Sequence, residues 1–192
     1  MGLFTRTTPP DTSALHTALT YGTLEDLGKV YKPAIVNYDG FSGTTLLGLA
    51  LSHSDHVQRV ALANRLLDDG ADVRRGHPLH RLLGRNSHNF DAEAPLLARM
   101  LDAGADVNEV DPKFGTPLET LAGKGKFSDV ALTPFYDVLL ARPDLDLLRP
   151  SSQGRTVLAN LRKMFARRGE LVIRAEQVLI DRGIPVPPPS ND

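Results

Sequence analysis

One phrase occurs twice in this chain. Leu67-Asp-Asp-Gly-Ala-Asp-Val73 returns as Leu101-Asp-Ala-Gly-Ala-Asp-Val107, and each copy leads into a glycine-led phrase, Gly76-His-Pro-Leu-His80 and Gly115-Thr-Pro-Leu-Glu119. Self-similarity with a period of about 20 to 50 residues is the signature of a stacked repeat array. Units in such an array touch only their neighbours, which yields an extended surface and no closed pocket. A chain of this kind is expected to bind rather than to catalyse.

Aligned on the opening glycine, the repeats begin at Gly43, Gly76, Gly115 and Gly154, and a second break follows at Gly70, Gly104, Pro143 and Gly183. Each break comes just after an apolar dyad: Leu66-Leu67, Met100-Leu101, Leu139-Leu140 and Leu179-Ile180. Every repeat therefore reads as a glycine turn, a short apolar helix, a break, a longer amphipathic helix and an extended link. Thr116-Pro117 puts a capping hydroxyl before a proline at the first helical position, where the missing N–H costs nothing. Gly70 and Gly104 fall just past a helix end, where the left-handed conformation is cheap only for glycine. Ala71 and Ala105 are small enough for close stacking of neighbours. Val57, Val60, Ala61, Ala63, Leu66 and Leu67 largely keep the i, i+3, i+4 spacing of one buried stripe.

The pattern resembles the ankyrin repeat. Gly104-Ala-Asp-Val-Asn108 followed by Gly115-Thr-Pro-Leu118 is a near-complete family signature, and Gly70-Ala-Asp-Val73 with Pro78-Leu-His80 is a second match. Gly43-Thr-Thr-Leu-Leu47 and Gly154-Arg-Thr-Val-Leu158 keep only glycine, threonine and leucine, while 12–31, around Tyr21-Gly-Thr23, fits a degenerate N-terminal cap. The resemblance implies an all-α helical solenoid of about five helix-turn-helix units with irregular fingers. It would cover 12–184, between a flexible N-terminus (1–11) and a proline-rich C-terminal tail (185–192) that cannot continue a helix. The repeats depart from the family pattern in places. The link from Val73 to Gly76 is too short to form a finger, whereas Val107 to Gly115 forms a long one. The spans 84–95, 123–134 and 166–169 lengthen or rearrange the turn between paired helices.

With 192 residues, 41% of them hydrophobic, the chain can build one ordinary domain's core. A net charge of −1 supplies no global field for nucleic acid or an acidic membrane. Absence of cysteine removes disulfides, thiolate zinc ligands and thiol nucleophiles, and fits a reducing compartment. Met1-Gly-Leu-Phe-Thr-Arg6 lacks the apolar run of a secretory signal, and Arg6 stands where a myristoylation motif wants Ser or Thr. No window approaches the roughly 18 apolar residues of a membrane span. The expected location is the cytoplasm. Arginine outnumbers lysine, as in proteins of GC-rich bacteria.

His77 with His80, and His53 with His56, have a spacing that can present two metal ligands on one helical face. Neither pair has an acidic residue at matching spacing. The resemblance gives His80 a structural task, tying backbone between adjacent repeats, and the expectation is no metal and no cofactor. There is no nucleophile elbow, phosphate loop or His-Glu-x-x-His. Gly123-Lys-Gly-Lys126 looks faintly like an anion loop but reads better as a flexible solvated turn. No catalytic constellation emerges, and the chain is expected not to be an enzyme.

Two blocks of charge stand out. Asp91, Glu93, Asp102, Asp106, Glu109, Asp111 and Glu119 outweigh Arg99 and Lys113; further on, Arg149, Arg155, Arg162, Lys163, Arg167, Arg168, Arg174 and Arg182 outweigh Glu170, Glu176 and Asp181. They are either poles that steer a charged partner or ordinary solvated faces. Around Arg162 to Arg174 the only aromatic is Phe165, which fits the helix core, so nucleic acid is not expected as a partner. Tyr38, Phe41 and Phe114 lie in fingers, where they either meet a partner or fold back on a neighbour. In the ankyrin family the binding surface follows the finger tips and the first helices. Carried over, it comprises Tyr38, Phe41, Arg74, Arg75, Arg81, Glu109, Lys113 and Phe114.

The functional expectation is a non-catalytic protein-binding module, monomeric when free, resembling the small bacterial ankyrin proteins that bind and neutralise a cognate toxin as immunity proteins. The alternatives are a histidine-bound metal enzyme and a self-assembling structural repeat. Arg167-Arg168 and the proline-rich tail read as a polar terminus, which argues against open-ended stacking.

Overall fold

The computed structural model describes residues 11–38 and 40–189. Residues 1–10, most of the segment read as a flexible N-terminus together with Gly2 and Arg6, lie outside the described residues, as do Asp39 and the last three residues of the tail. Among the described residues the chain is all-helical, with no strand longer than an isolated bridge. Ten helices follow in order: α1 (Thr12–Tyr21), α2 (Leu24–Val30), α3 (Leu46–Leu51), α4 (His56–Asp68), α5 (Pro78–Leu83), α6 (Phe90–Asp102), α7 (Pro117–Ala122), α8 (Asp129–Leu140), α9 (Val157–Lys163) and α10 (Phe165–Asp181). None is long and apolar enough to cross a membrane.

Local chemistry explains the starts and stops. Thr45, Thr116 and Thr156 cap α3, α7 and α9 by accepting the N–H of Gly48, Glu119 and Ala159. Thr23 and Asp26 form a reciprocal capping box on α2. There the Lys29 ammonium and the Thr23 N–H and hydroxyl hold the Asp26 carboxyl down at about 2. α4 and α6 end in glycines with φ of 88° at Gly70 and 98° at Gly104, and each following alanine N–H closes back on the helix, Ala71 on Leu66 and Ala105 on Met100.

The chain divides into two compact units, Met1–Asp72 and Val73–Asp192, with the boundary on the short link before Gly76. In the first unit α1 packs on α2 and α3, and α4 packs on α2 and α3, around Leu15, Leu19, Leu27, Leu47 and Leu62. In the second, short α5, α7 and α9 pack in one row and long α6, α8 and α10 in another. Leu82, Leu97, Leu121, Phe135, Leu161 and Leu171 fill the space between rows at 0% exposure. Burial of each such side chain contributes roughly 1.5–3 kcal/mol.

Four sequence expectations shift in detail. The buried stripe of α4 runs through Arg59, Leu62, Ala63 and Leu66, and Val57 is 60% exposed. Arg59 belongs inside because its Nε and Nη2 donate to the carbonyl of His53 and so fasten the preceding turn. Pro95 and Pro134 sit within α6 and α8, not in the turns. Each forfeits one helical bond, and the buried pairs that follow, Leu96-Leu97 and Phe135-Tyr136, hold the helix through it. Arg168 is 1% exposed, at a kink in α10 with φ −128° and ψ 32°, and is not a solvated terminal charge. Phe165, assigned to the core, is 53% exposed, because the first turn of α10 lies ahead of that kink.

Candidate partner-binding surface

In the second unit the long finger is built from backbone chemistry. Asp111 and Gly115 pair as an antiparallel bridge, both bonds 2.9 Å. The Asp111 carboxylate accepts the N–H of Lys113 at 2.7 Å and of Phe114 at 2.9 Å. Burial pushes the Asp111 carboxyl up, but those two N–H groups and the nearby histidines outweigh it and leave it below its ordinary value. The base of the finger is bracketed by Asn108, whose amide donates to the carbonyl of Asp144 at 2.6 Å and accepts the N–H of Asp146 at 2.8 Å. Asn37 does the same in the first unit, bonding the Gly70 carbonyl and the Asp72 N–H.

His77, in the capping position of α5, and His80, on the helix itself, hold the finger from the side. His80 Nε2 lies 3.2 Å from the carbonyl of Glu109, which can only accept, so Nε2 carries the hydrogen and Nδ1 accepts from the Thr120 hydroxyl at 2.8 Å. Burial lowers the His80 pKa from its ordinary 6.5, consistent with a neutral ring. His77 is exposed, and its Nδ1 is 2.7 Å from the Glu109 carboxylate. It occupies the position that threonine takes at Thr116, makes no side-chain cap bond, and has φ 54° and ψ 53°. This left-handed conformation is strained for a residue with a Cβ.

The expected surface residues separate into two groups. Arg81, Glu109, Lys113 and Phe114 share the finger side of the second unit. Arg81 is half-buried, with its Nε donating to the Gly76 carbonyl at 2.8 Å, and burial lowers its pKa. The Lys113 ammonium stands 5.1 Å from the ring centre of Phe114, which is 52% exposed. Arg74 is exposed and lays its guanidinium against Gly104, where a side chain would collide with it, while Arg75 is half-buried. Tyr38 and Phe41, in the first unit, fold inward. Both are half-buried, their rings meet edge to face at 5.9 Å, and Phe41 also lies 6.1 Å from His16. His77, weighed from the sequence only as half of a possible metal-ligand pair with His80, meets the Glu109 carboxylate, and its place in the capping position was the available signal.

The two charge blocks are largely spent on internal bonds. Glu93 and Glu119 are buried, and Asp102 pairs with Arg142 at 2.6 Å. On the basic side Arg162 pairs with Glu176, Arg174 with Asp137, and Arg182 donates to the carbonyls of Leu145 and Arg142. Among the described residues no group of three His, Asp or Glu side chains is placed to hold a metal ion. His53 is buried, with Nε2 on the Gly22 carbonyl at 3.0 Å and Nδ1 accepting the Asp55 N–H, so it ties two turns of the first unit together.

No protein-family model matches the chain, and no curated protein does. Among solved structures it is similar to the crystal structure of a functionally unknown protein from Leptotrichia buccalis. That similarity has a TM-score of 0.68 at 15% identity and covers 91% of this chain and 97% of the other. At that identity the two share a fold and nothing more is implied.

Proposed function

We propose that this chain is a non-catalytic, cytoplasmic, ankyrin-type protein-binding module whose partner docks on the finger side of the second unit. The observation that carries the reading is Phe114. A large apolar ring stands 52% exposed on a finger fixed by the Asp111 turn, the Asn108 bracket, His77 and His80. A rigid exposed aromatic flanked by Lys113 and Glu109 has the form of a binding hot spot, since little entropy is lost when it is covered. The irregular repeats fit an immunity-type protein that neutralises a cognate protein such as a toxin.

The test is stoichiometric capture of a partner from the native host by the tagged chain, repeated with Glu109→Arg/Phe114→Ala. Loss of the partner in the variant, with its melting temperature unchanged, supports the reading. Failure of the wild-type chain to capture any stoichiometric protein would refute it.

A further inference from the structure

A second surface lies at the opposite end of the same short helices. The turns after α5 and α7 are locked together. Lys124 Nζ donates to the Gly84 carbonyl at 2.7 Å and Lys126 Nζ to the Asn86 carbonyl at 2.9 Å. Beneath them, the buried Arg168 guanidinium takes the carbonyls of Ala122 (2.8 Å), Lys124 (2.8 Å) and Phe127 (3.0 Å). The carbonyl ends of these peptide dipoles are capped by the chain's own cations, whose charge neutral carbonyls do not cancel, so this edge is basic. The Arg167 guanidinium completes the group: it rests against Gly125, where a Cβ would come within 2.9 Å of it.

Arg85, Lys124, Lys126 and Arg167 are thereby gathered on one ordered edge, with no acid among 84–87 or 123–127. The crowding is physical. Burial, and after it the charge of Arg85, lower the pKa of Lys124, which places the two cations within electrostatic reach of each other. Of the nearby acids, Asp129 is engaged by Arg168, by the Tyr136 hydroxyl and by the Glu170 N–H. Glu93 is buried against His88. Asp91 and Glu170 are exposed at the margin. Two apolar side chains flank this edge: Val130, 83% exposed in the first turn of α8, and Phe165, 53% exposed in the first turn of α10. Both elements meet at Asp129.

We propose that this turn-side edge docks an acidic, apolar-punctuated segment of a protein partner, with Lys124, Lys126 and Arg167 meeting its carboxylates and Val130 and Phe165 its apolar side chains. The inference rests on the protein-binding reading above and adds a second contact to it. A polypeptide fits better than nucleic acid because the group is small and the chain's net charge is −1.

The test uses the full chain and a fluorescein-labelled peptide repeating Glu-Glu-Leu, followed by fluorescence anisotropy at low salt. Lys126→Gln/Arg167→Gln is compared with Lys32→Gln/Lys163→Gln, which removes the same charge from exposed positions elsewhere. The expected result is binding about fivefold weaker in the first variant and changed by less than about twofold in the second. Val130→Glu, a change at a solvent-facing position that leaves the lysine bonds intact, is expected to weaken the peptide as well. Equal effects of the two double variants, or no binding by the wild-type chain, overturn the proposal. So does oligo-dT that binds more tightly than the peptide through the same residues. The peptide titration needs no host partner, so its failure is separable from failure of the capture experiment.

Discussion

His80 and Thr120, on successive short helices, share a buried hydrogen bond of 2.8 Å between Nδ1 and Oγ1. The hydroxyl can donate to a neutral ring or accept from a charged one, so the protonation state is set by the burial of the ring and not by this bond. Burial depresses the folded-state pKa below the ordinary 6.5. The unfolded chain thus binds this proton more readily than the folded one. The stabilisation is fully present above pH 6.5 and is lost as pH falls through the depressed value. The urea midpoint of the wild-type chain should fall on acidification from about pH 7.5 to about pH 5, and the fall should be shallower in His80→Gln. Identical slopes in the two proteins would remove His80 as a cause.

The finger aromatics should divide by burial. Phe114→Ala removes a ring that is half in solvent and is expected to change stability by less than about 0.5 kcal/mol, while abolishing partner capture. Phe41→Ala removes the edge contacts to Tyr38 and His16 and is expected to lower the first unit's stability by about 1–2 kcal/mol. Chemical denaturation of both variants checks the contrast. Equal losses would mean that Phe114 is a packing residue.

Glu119 stands where the preceding repeat carries His80, yet a histidine there is expected to destabilise. Its carboxylate accepts the Thr116 N–H at 2.7 Å, the Ser151 hydroxyl, and the Asn160 amide at 2.6 Å, at 6% exposure. Three donors converge on an acceptor-only group, and imidazole offers one acceptor. Glu119→His should therefore cost about 2–3 kcal/mol, with Glu119→Gln intermediate. A urea midpoint for Glu119→His at or above wild type would refute this account of the network.

What could be read from the sequence was whatever depends on neighbours along the chain. Gly104 past a helix end, Thr116 before Pro117 and the apolar dyads each have a local cause, and the helices begin and end around them. What could not be read depends on residues roughly one repeat away. Arg168 looked like solvated charge because nothing beside it in sequence shows the carbonyls of the α7–α8 turn, some forty residues earlier, that draw it inside. Asp102 and Arg174 looked like free poles for the same reason. The finger residues were half legible: loop composition marked Tyr38, Phe41 and Phe114 as unusual, but only tertiary packing decides which of them turns inward.

That long-range role of Arg168 gives the sharpest test of the second unit's architecture. Its guanidinium reaches the carbonyls of Ala122, Lys124 and Phe127 and, at 3.3 Å, the Asp129 carboxylate, so replacing it with a non-donor of similar length removes all of these bonds at once. Arg168→Met is expected to cost about 3–5 kcal/mol, and Arg168→Lys most of that, because one ammonium cannot span the fork. The loss should begin locally. Amide exchange at Phe127, whose N–H bonds the Lys124 carbonyl, should accelerate before the core leucines of α8 do. If Arg168→Met left both the urea midpoint and the Phe127 exchange rate unchanged, the 123–127 turn would be held by Lys124 and Lys126 alone, and the ordered basic edge would not depend on the guanidinium beneath it.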